Sequence, residues 1–362
     1  MSEGQASSNS YTTSIDFGID KSKTYAVAMS GGVDSSTTAA IIKDSGAKLF
    51  GVTLYLHEYS VPAIDDAKKI CDFLGIDHYV IDAREKFGPE IIDKFYESYA
   101  SGITPNPCAI CNRDIKFGEM LKFCVDKNAD YLATGHYASC LYKDGQCWLK
   151  DIGNSKDQTY FLSMVNRNNL KYAYFPLARV RDKNQTREIA RHFGMSFFDK
   201  VSESQDICFL SGVNYKEELR KRVTMQPGNI IKKDLGVIGT HDGVGNYTIG
   251  QRRGMSLSWG GKPLYIVEIN KDTNEIVVDE VREPSKIQLN ITNVNYLLDV
   301  KDEFECWFKP RYRIQKIRGS VKKHGSDASI TCIHHPTIIA PGQVCVMYND
   351  DGYVIGGGEI SR

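Results

Sequence analysis

Along the first half of the chain, short runs dense in β-branched and aromatic residues alternate with stretches whose apolar positions recur every three or four residues. TYAVAM (24–29), KLFGVTLYL (48–56), HYVID (78–82) and DYLAT (130–134) read as strands. Between them Ile64, Ala67, Ile70, Cys71 and Leu74, and later Ile115, Met120 and Phe123, fall at helical spacing. This alternation predicts an α/β N-terminal domain on a doubly wound parallel sheet, whose ligands gather at the carboxyl ends of the strands. After about residue 212 the sequence turns Gly-rich and short-stranded, and from about 285 β-like runs recur at sandwich or barrel intervals. Two small β-rich domains are expected there, the last a β-barrel. The predicted division is a polar, disordered extension over 1–23, a catalytic domain over 24–211, a central domain over 212–283 and a C-terminal domain over 284–362.

Composition narrows the classes. The chain has 362 residues, 41% of them hydrophobic, too many for one ordinary domain. No apolar run approaches the ~18 to 20 residues a bilayer span needs. The first 23 residues have no apolar core and no Arg, and they contain Glu3, Asp16 and Asp20, which argues against secretion and organelle targeting. The expected location is the cytoplasm, with no membrane partner. Ten cysteines in so long a chain suit a reducing compartment in which a few thiols do chemistry. Lys and Arg balance Asp and Glu at 45 each, which rules out a uniformly basic nucleic-acid binder. The charge is nevertheless segregated: 309–323 holds seven Lys/Arg and no acid, and 167–191 holds seven against Asp182 and Glu188. Each run reads either as a solvated face or as a polyanion site.

Directly after the first strand comes Ser30-Gly31-Gly32-Val33-Asp34-Ser35-Ser36, followed by a helical run. Glycines in a strand-to-helix turn let backbone N–H groups and the helix dipole meet an anion, so this is a candidate phosphate loop. It is neither a Walker A loop nor a G-x-G-x-x-G fingerprint. The competing reading is a glycine turn with Asp34 and Ser35 as helix caps.

A second constellation is Thr104-Pro105-Asn106-Pro107-Cys108-Ala109-Ile110-Cys111-Asn112-Arg113, which reads as a constrained loop entering a helix. A thiol at a helix N-terminus beside Arg113 is expected to have a depressed pKa and raised reactivity. Structural zinc or a redox C-x-x-C are the alternatives, although zinc wants four ligands and no second C-x-x-C occurs. Cys208, in Ser202-Glu203-Ser204-Gln205-Asp206-Ile207-Cys208, is the remaining candidate partner, and taken alone it reads as a small buried hydrophobe.

The SGGVDSS loop resembles the pyrophosphate loop of the N-type ATP pyrophosphatases, a resemblance that implies ATP and AMP-forming chemistry and leaves the substrate open. Taken with the TPNPCxxCNRxIKF loop, Ala133–Tyr137 (ATGHY), Lys156–Phe161 (KDQTYF), SESQDICFL, Tyr247–Gly254 (YTIGQRRG), Lys309–Arg313 (KPRYR) and Ala340–Gln343 (APGQ), it resembles the tRNA-specific 2-thiouridylase (MnmA) family over essentially 24–362. The resemblance implies replacement of O2 of the wobble uridine by sulfur in tRNAs of the Lys, Glu and Gln type, with ATP and Mg²⁺. It implies that Cys111 is the nucleophile and Cys208 the persulfide carrier, with Asp34 at the metal or phosphates. Ala28, Met29, Ser30, Gly31, Gly32, Val33, Asp34, Ser35, Leu54 and Gly135 match ATP contacts. Asn106, Pro107 and Cys108 match the target-base loop, and His136, Lys156, Asp157, Gln158, Arg311, Tyr312 and Gln343 match tRNA contacts. Many members carry Asp where this chain has Cys108, so a carboxylate role is absent there.

Under this resemblance, AMP transfer to the uracil C2 oxygen creates a leaving group, and sulfur arrives from a persulfide supplied by a cysteine desulfurase or sulfur relay protein. Either Cys111 releases sulfide from Cys208 and leaves a disulfide, or the persulfide attacks C2 directly. A further variant has Cys108, Cys111 and Cys208 ligating a [4Fe–4S] cluster that carries the sulfur. Other readings are an amidating ligase on a small molecule, which lacks an ammonia source here, and a tRNA-binding protein with a degenerate loop, which leaves both cysteines unexplained.

Overall fold

A computed structural model describes residues 15–200, 207–210, 215–255, 258–259, 262–280, 286–333 and 338–361. Residues 1–14 of the predicted extension and Ser202–Asp206 of the Cys208 motif lie outside them.

The N-terminal sheet is built from β1 (Thr24–Ala28), β2 (Lys48–Tyr55), β3 (His78–Asp82), β4 (Tyr131–Ala133) and the two-residue strand Ala173–Tyr174, in the order β3-β2-β1-β4 followed by Ala173–Tyr174, all parallel. The four predicted strands are present within a residue or two, and the fifth is additional. Both faces are covered because successive side chains alternate: Tyr25 and Val27 pack with Val33, Ala39, Ala40 and Ile42 of α1 (Val33–Asp44) and with Ala67, Ile70 and Cys71 of α2 (Val61–Leu74). Ala26, Val52 and Leu54 pack on the opposite face with Phe87, Ile91, Ile115 and Phe117. The strand order reverses between β1 and β4, and the crevice beyond their carboxyl ends is where an open α/β sheet binds ligands.

The central domain is a four-stranded sheet in the order Tyr265–Asn270, Glu275–Asp279, Gly228–Lys232 and Gly236–His241, around Ile230, Leu264, Ile266, Ile276 and Val278. The C-terminal domain closes a six-stranded barrel: Lys286–Tyr296, Asp327–Ile333, Ile317–His324, Glu303–Lys309, Val344–Tyr348 and Val354–Ile360. Alternation along 303–309 and 317–324 turns Cys306, Phe308, Ile317 and Val321 inward and Glu305, Arg318 and Lys322 outward.

Strand Val344–Tyr348 is buried along its whole length. Val344, Val346 and Tyr348 belong to the core of the N-terminal domain, whereas Cys345 and Met347 belong to the barrel. Polar bonds close the seam: Tyr160 Oη donates to Val344 O at 2.5 Å, and Asn295 Nδ2 donates to Ser163 O at 2.9 Å and Val165 O at 2.8 Å. Among the described residues, no helix is long and apolar enough to cross a membrane.

Candidate active site

The phosphate loop occupies the predicted crevice. Met29 N donates to Val52 O at 2.8 Å, prolonging the sheet, and the chain then turns through Gly31 at φ +74°. A side chain at Gly31 would also press on Ala63 O and Asp66 Cβ, each 3.0 Å from the Cβ position, so glycine is required twice over. Ser35 Oγ accepts from Ser30 N at 3.2 Å and donates to Gly32 O at 3.0 Å, which ties the loop to the first turn of α1. Gly135 lets the strand end after β4 lie on that turn: a Cβ there would stand 2.8 Å from Asp34 Cβ and 2.9 Å from Ser35 N. Ala28, Met29, Val33 and Leu54 are largely enclosed and can serve a nucleotide only through backbone and shape.

Asp34 is not a helix cap. Gly32 holds the cap position, and the Asp34 carboxylate pairs with Lys183 Nζ at 2.5 Å and accepts from Tyr137 Oη at 3.0 Å. Lys183 opens the helix Lys183–His192, on which Thr186 Oγ1 shares a 2.6 Å bond with Tyr137 Oη. Lys183 and Tyr137 were not singled out from the sequence. The signal available for Lys183 was its place in the basic run 167–191.

A cavity of about 1470 Å³ opens over this loop. Its walls include Ser30 to Asp34, Tyr137, Lys156 to Gln158, Lys183, Arg187, Lys309, Tyr312, Arg313 and Lys316. Both basic runs therefore contribute to one concave site. Arg318 and Lys322 of the same run lie on the barrel exterior, where Arg318 pairs with Asp350 and Lys322 with Glu303, the solvated-face alternative.

The Lys156–Gln158 turn is internally organised. Asp157 accepts from Ile152 N at 2.9 Å and from Thr159 Oγ1 at 2.5 Å, and burial raises its pKa. Gln158 Oε1 accepts from Tyr137 N at 2.9 Å. Tyr312 packs against Phe161 with the rings tilted by 46° and their centroids 4.5 Å apart, while Arg311 is exposed. His136 bonds through Nδ1 to Thr134 Oγ1 at 2.7 Å, and burial holds its pKa well below 6.5. Gln343 is buried, with Nε2 donating to Thr104 O at 3.0 Å and Pro105 O at 3.3 Å. It braces the Thr104–Pro105 end of the cysteine loop from behind.

The loop leads into helix Pro107–Cys111, with Pro107 in its first turn and Asn106 Oδ1 accepting from Ala109 N at 3.2 Å. The helix runs on in π register over Asn112–Met120 and as α-helix over Leu121–Asp126. π segments are rare and often mark functional sites. Cys108 and Cys208 are exposed and Cys111 is buried, all three as free thiols. Each lies within electrostatic reach of Lys116, and Cys208 within reach of Cys108 and Cys111.

The expected depression of the Cys111 pKa is overturned. Burial pushes it up to about 12, with Lys116 opposing. Arg113 does not help, because its guanidinium binds Asp114 at 2.8 and 2.7 Å. Desolvation thus outweighs charge at this thiol. Lys116 was overlooked because it lies five residues beyond Cys111, and the helix between them is π-registered.

The lining of the large cavity does not include the cysteines. The two groups adjoin through Asn112, whose Nδ2 donates to Phe161 O at 2.9 Å beside the cavity. Among the described residues, no three His, Cys, Asp or Glu side chains gather as a metal site. For Mg²⁺ the carboxylates on the cavity wall are Asp34, Asp66, Asp151 and Asp157; Asp34 is the one within the loop, and both its oxygens already have partners, so a metal here leans on nucleotide phosphates. Cys108, Cys111 and Cys208 are near one another but are not grouped as a metal ligand set among the described residues, and no step below passes through iron. Cys140 and Cys147 form a disulfide across the hairpin of Ser139–Lys143 and Gln146–Lys150.

Fold and site together define a nucleotide-binding α/β domain carrying two β modules and a cysteine pair. Three family profiles match in that order: "tRNA methyl transferase HUP domain" over 23–212, "tRNA methyl transferase PRC-barrel domain" over 216–280 and "Aminomethyltransferase beta-barrel domain" over 286–360. The chain is 40% identical over 329 residues to tRNA-specific 2-thiouridylase MnmA 1 of Fusobacterium nucleatum, covering 89% of this chain and 88% of that one. It is 39% identical over 340 residues to the MnmA of Carboxydothermus hydrogenoformans, covering 88% and 92%. The chain belongs to the tRNA-specific 2-thiouridylase (MnmA) family. A solved 4-thiouridine synthetase–RNA complex with bound ATP is a remote likeness, with TM-score 0.36 and 15% identity over 56% of this chain and 50% of that one.

Proposed function

We propose that this protein is an ATP-dependent tRNA 2-thiouridylase acting on the wobble uridine of tRNAs of the Lys, Glu and Gln type, in the cytoplasm. The observation that carries the reading is the juxtaposition of a phosphate-cradling loop, in a cavity lined by cations from both basic runs, with three free cysteines on and beside the TPNPC loop.

ATP lies over Ser30–Ser35, where loop amides and the first turn of α1 take its phosphates. Asp34 is the side chain that would hold a Mg²⁺ ion bound with the nucleotide, and that ion would supply charge neutralisation to the departing pyrophosphate. The wobble base leaves its stack at a cost of a few kcal/mol and is received by Asn106, Pro107 and Cys108. Lys156 and Arg311 hold backbone phosphates, Tyr312 and Gln158 shape the wall, and His136 and Gln343 support from within. Adenylation makes the C2 oxygen a leaving group. A persulfide on Cys208, loaded by a desulfurase or relay protein, is then cleaved by Cys111: the thiolate bonds to the inner sulfur and HS⁻ departs to C2, where AMP leaves with the original oxygen and the S–H proton is lost, and a Cys111–Cys208 disulfide remains.

The test is mass spectrometry of nucleosides from tRNA incubated with enzyme, ATP, Mg²⁺ and a persulfide donor. 2-Thiouridine at the wobble position is expected, and AMP release without thiolated nucleoside would refute the reading. Iron content belongs in the same experiment: iron-dependent turnover lost in Cys108→Ser would replace the relay with a cluster.

A further inference from the structure

Resting on the relay just proposed, each turnover ends with Cys208 locked to Cys111 and unable to accept the next sulfur. We propose that Cys108 is the resolving thiol: its thiolate attacks Cys111 Sγ, forms a Cys108–Cys111 disulfide and returns Cys208 as a thiolate. A dithiol reductant then exchanges with the Cys108–Cys111 bond, becomes the oxidised partner, and restores two thiols. Electrons balance at each step, since one disulfide is exchanged for another until the external dithiol is oxidised.

The arrangement supports this in three ways. Cys108 and Cys111 lie three residues apart within the single helix Pro107–Cys111. That spacing puts the two Cα atoms about 5 Å apart, inside the roughly 4.4 to 6.8 Å a disulfide spans, and the two Cβ atoms, about 5 to 6 Å apart on one face, close by about 1 to 2 Å when the bond forms. Exposure is graded in the required sense: Cys111 is buried at 8% exposure, whereas Cys108 is open to a reductant and Cys208 to a donor. Burial raises the pKa of all three thiols, and at each of them Lys116 is the cation that opposes it and favours the thiolate. The capped loop holds Cys108 in place through Asn106, so the internal attack has the advantage of proximity over a reductant from solution.

The experiment runs one turnover on the full chain preloaded with persulfide, without reductant, then quenches with an alkylating agent and maps disulfides by mass spectrometry without reduction. Wild type should yield Cys108–Cys111 and an alkylated Cys208. Cys108→Ser should yield Cys111–Cys208 instead. Its single turnover is reduced by disturbance of the base loop, and its steady-state rate with a dithiol falls a further tenfold or so relative to that single turnover. A wild-type enzyme trapped as Cys111–Cys208, which needs no variant to observe, overturns the proposal, as does a Cys108→Ser enzyme with the wild-type ratio of steady-state to single-turnover rate. If wild type makes no thiolated uridine, the reading above fails and the resolving role falls with it. Thiolation with the wrong disulfide overturns the resolving role alone.

Discussion

In the proposed relay Cys111 acts as a thiolate, yet it sits where charge is opposed. It is 8% exposed, and its pKa is pushed up from 9.0 to about 12 by burial, with Lys116 the opposing cation. The sign for pH follows. The thiol stays protonated through neutrality, so in the free enzyme its alkylation rate should climb with pH past 9 without levelling, while Lys116→Met should displace the rise upward and Lys116→Arg restore it. Rates measured residue by residue from pH 7 to 10 check this, and a plateau near pH 8 would refute it. The same raised value implies stability that is complete below 9.0 and lost as pH rises toward about 12. Cys111→Ser and Cys208→Ser should each abolish thiolation and leave tRNA affinity within about twofold, measured by filter binding, because neither thiol holds a phosphate. The cysteines were legible as a constellation, since C-x-x-C beside two prolines is a strong local signal. Their electrostatic setting was not, because Arg113 is claimed by its neighbour Asp114 and Lys116 reaches the thiols only through a helical register that spacing alone does not reveal.

At the scale of elements, the crevice depends on two backbones in near contact. Gly135 lies against the first turn of α1, with Asp34 C and Ser35 N each 2.9 Å from where its Cβ would be. Gly135→Ala must push β4 and α1 apart, an overpacking cost of roughly 1 to 3 kcal/mol. Thermal unfolding should register that loss, and tRNA-dependent ATP–pyrophosphate exchange should fall further than stability alone explains. An unchanged exchange rate would mean that the loop does not depend on this contact. The strands that frame the crevice were readable because β1, β2, β3 and β4 are β-rich runs separated by helical periods. Ala173–Tyr174 was not, since two residues carry no period and pair only because β4 supplies an edge. The segment Val344–Tyr348 hides its role for a different reason. It is buried along its length and serves two cores at once, so no hydrophobic alternation marks which face meets which domain.

For the whole molecule, zero net charge conceals a sorted distribution. Lys183 and Arg187 come from one basic run and Lys309, Arg313 and Lys316 from the other, and they meet across the large cavity because the barrel docks on the N-terminal domain. Lys316 joins the halves directly through its ion pair with Asp151 and lies 4.2 Å above the Tyr348 ring. The outward cations of the same run are matched on the barrel surface, as Lys322 is by Glu303 at 2.8 Å. A sequence count treats these two groups alike; docking separates them. The polyanion should distinguish them as well. Each phosphate contact removed lowers the slope of log K against log salt by about one, or less for single-stranded loops. Arg311→Ala and Lys156→Ala should therefore weaken tRNA binding and flatten its salt dependence, together by about two. Lys322→Ala, on the paired exterior, should leave both affinity and slope as they are. Binding isotherms across a salt series for the three variants are the measurement. Equal flattening in all three would mean that tRNA wraps the barrel exterior as well, and that Lys156 on the cavity wall and the exposed Arg311 do not mark its phosphate path.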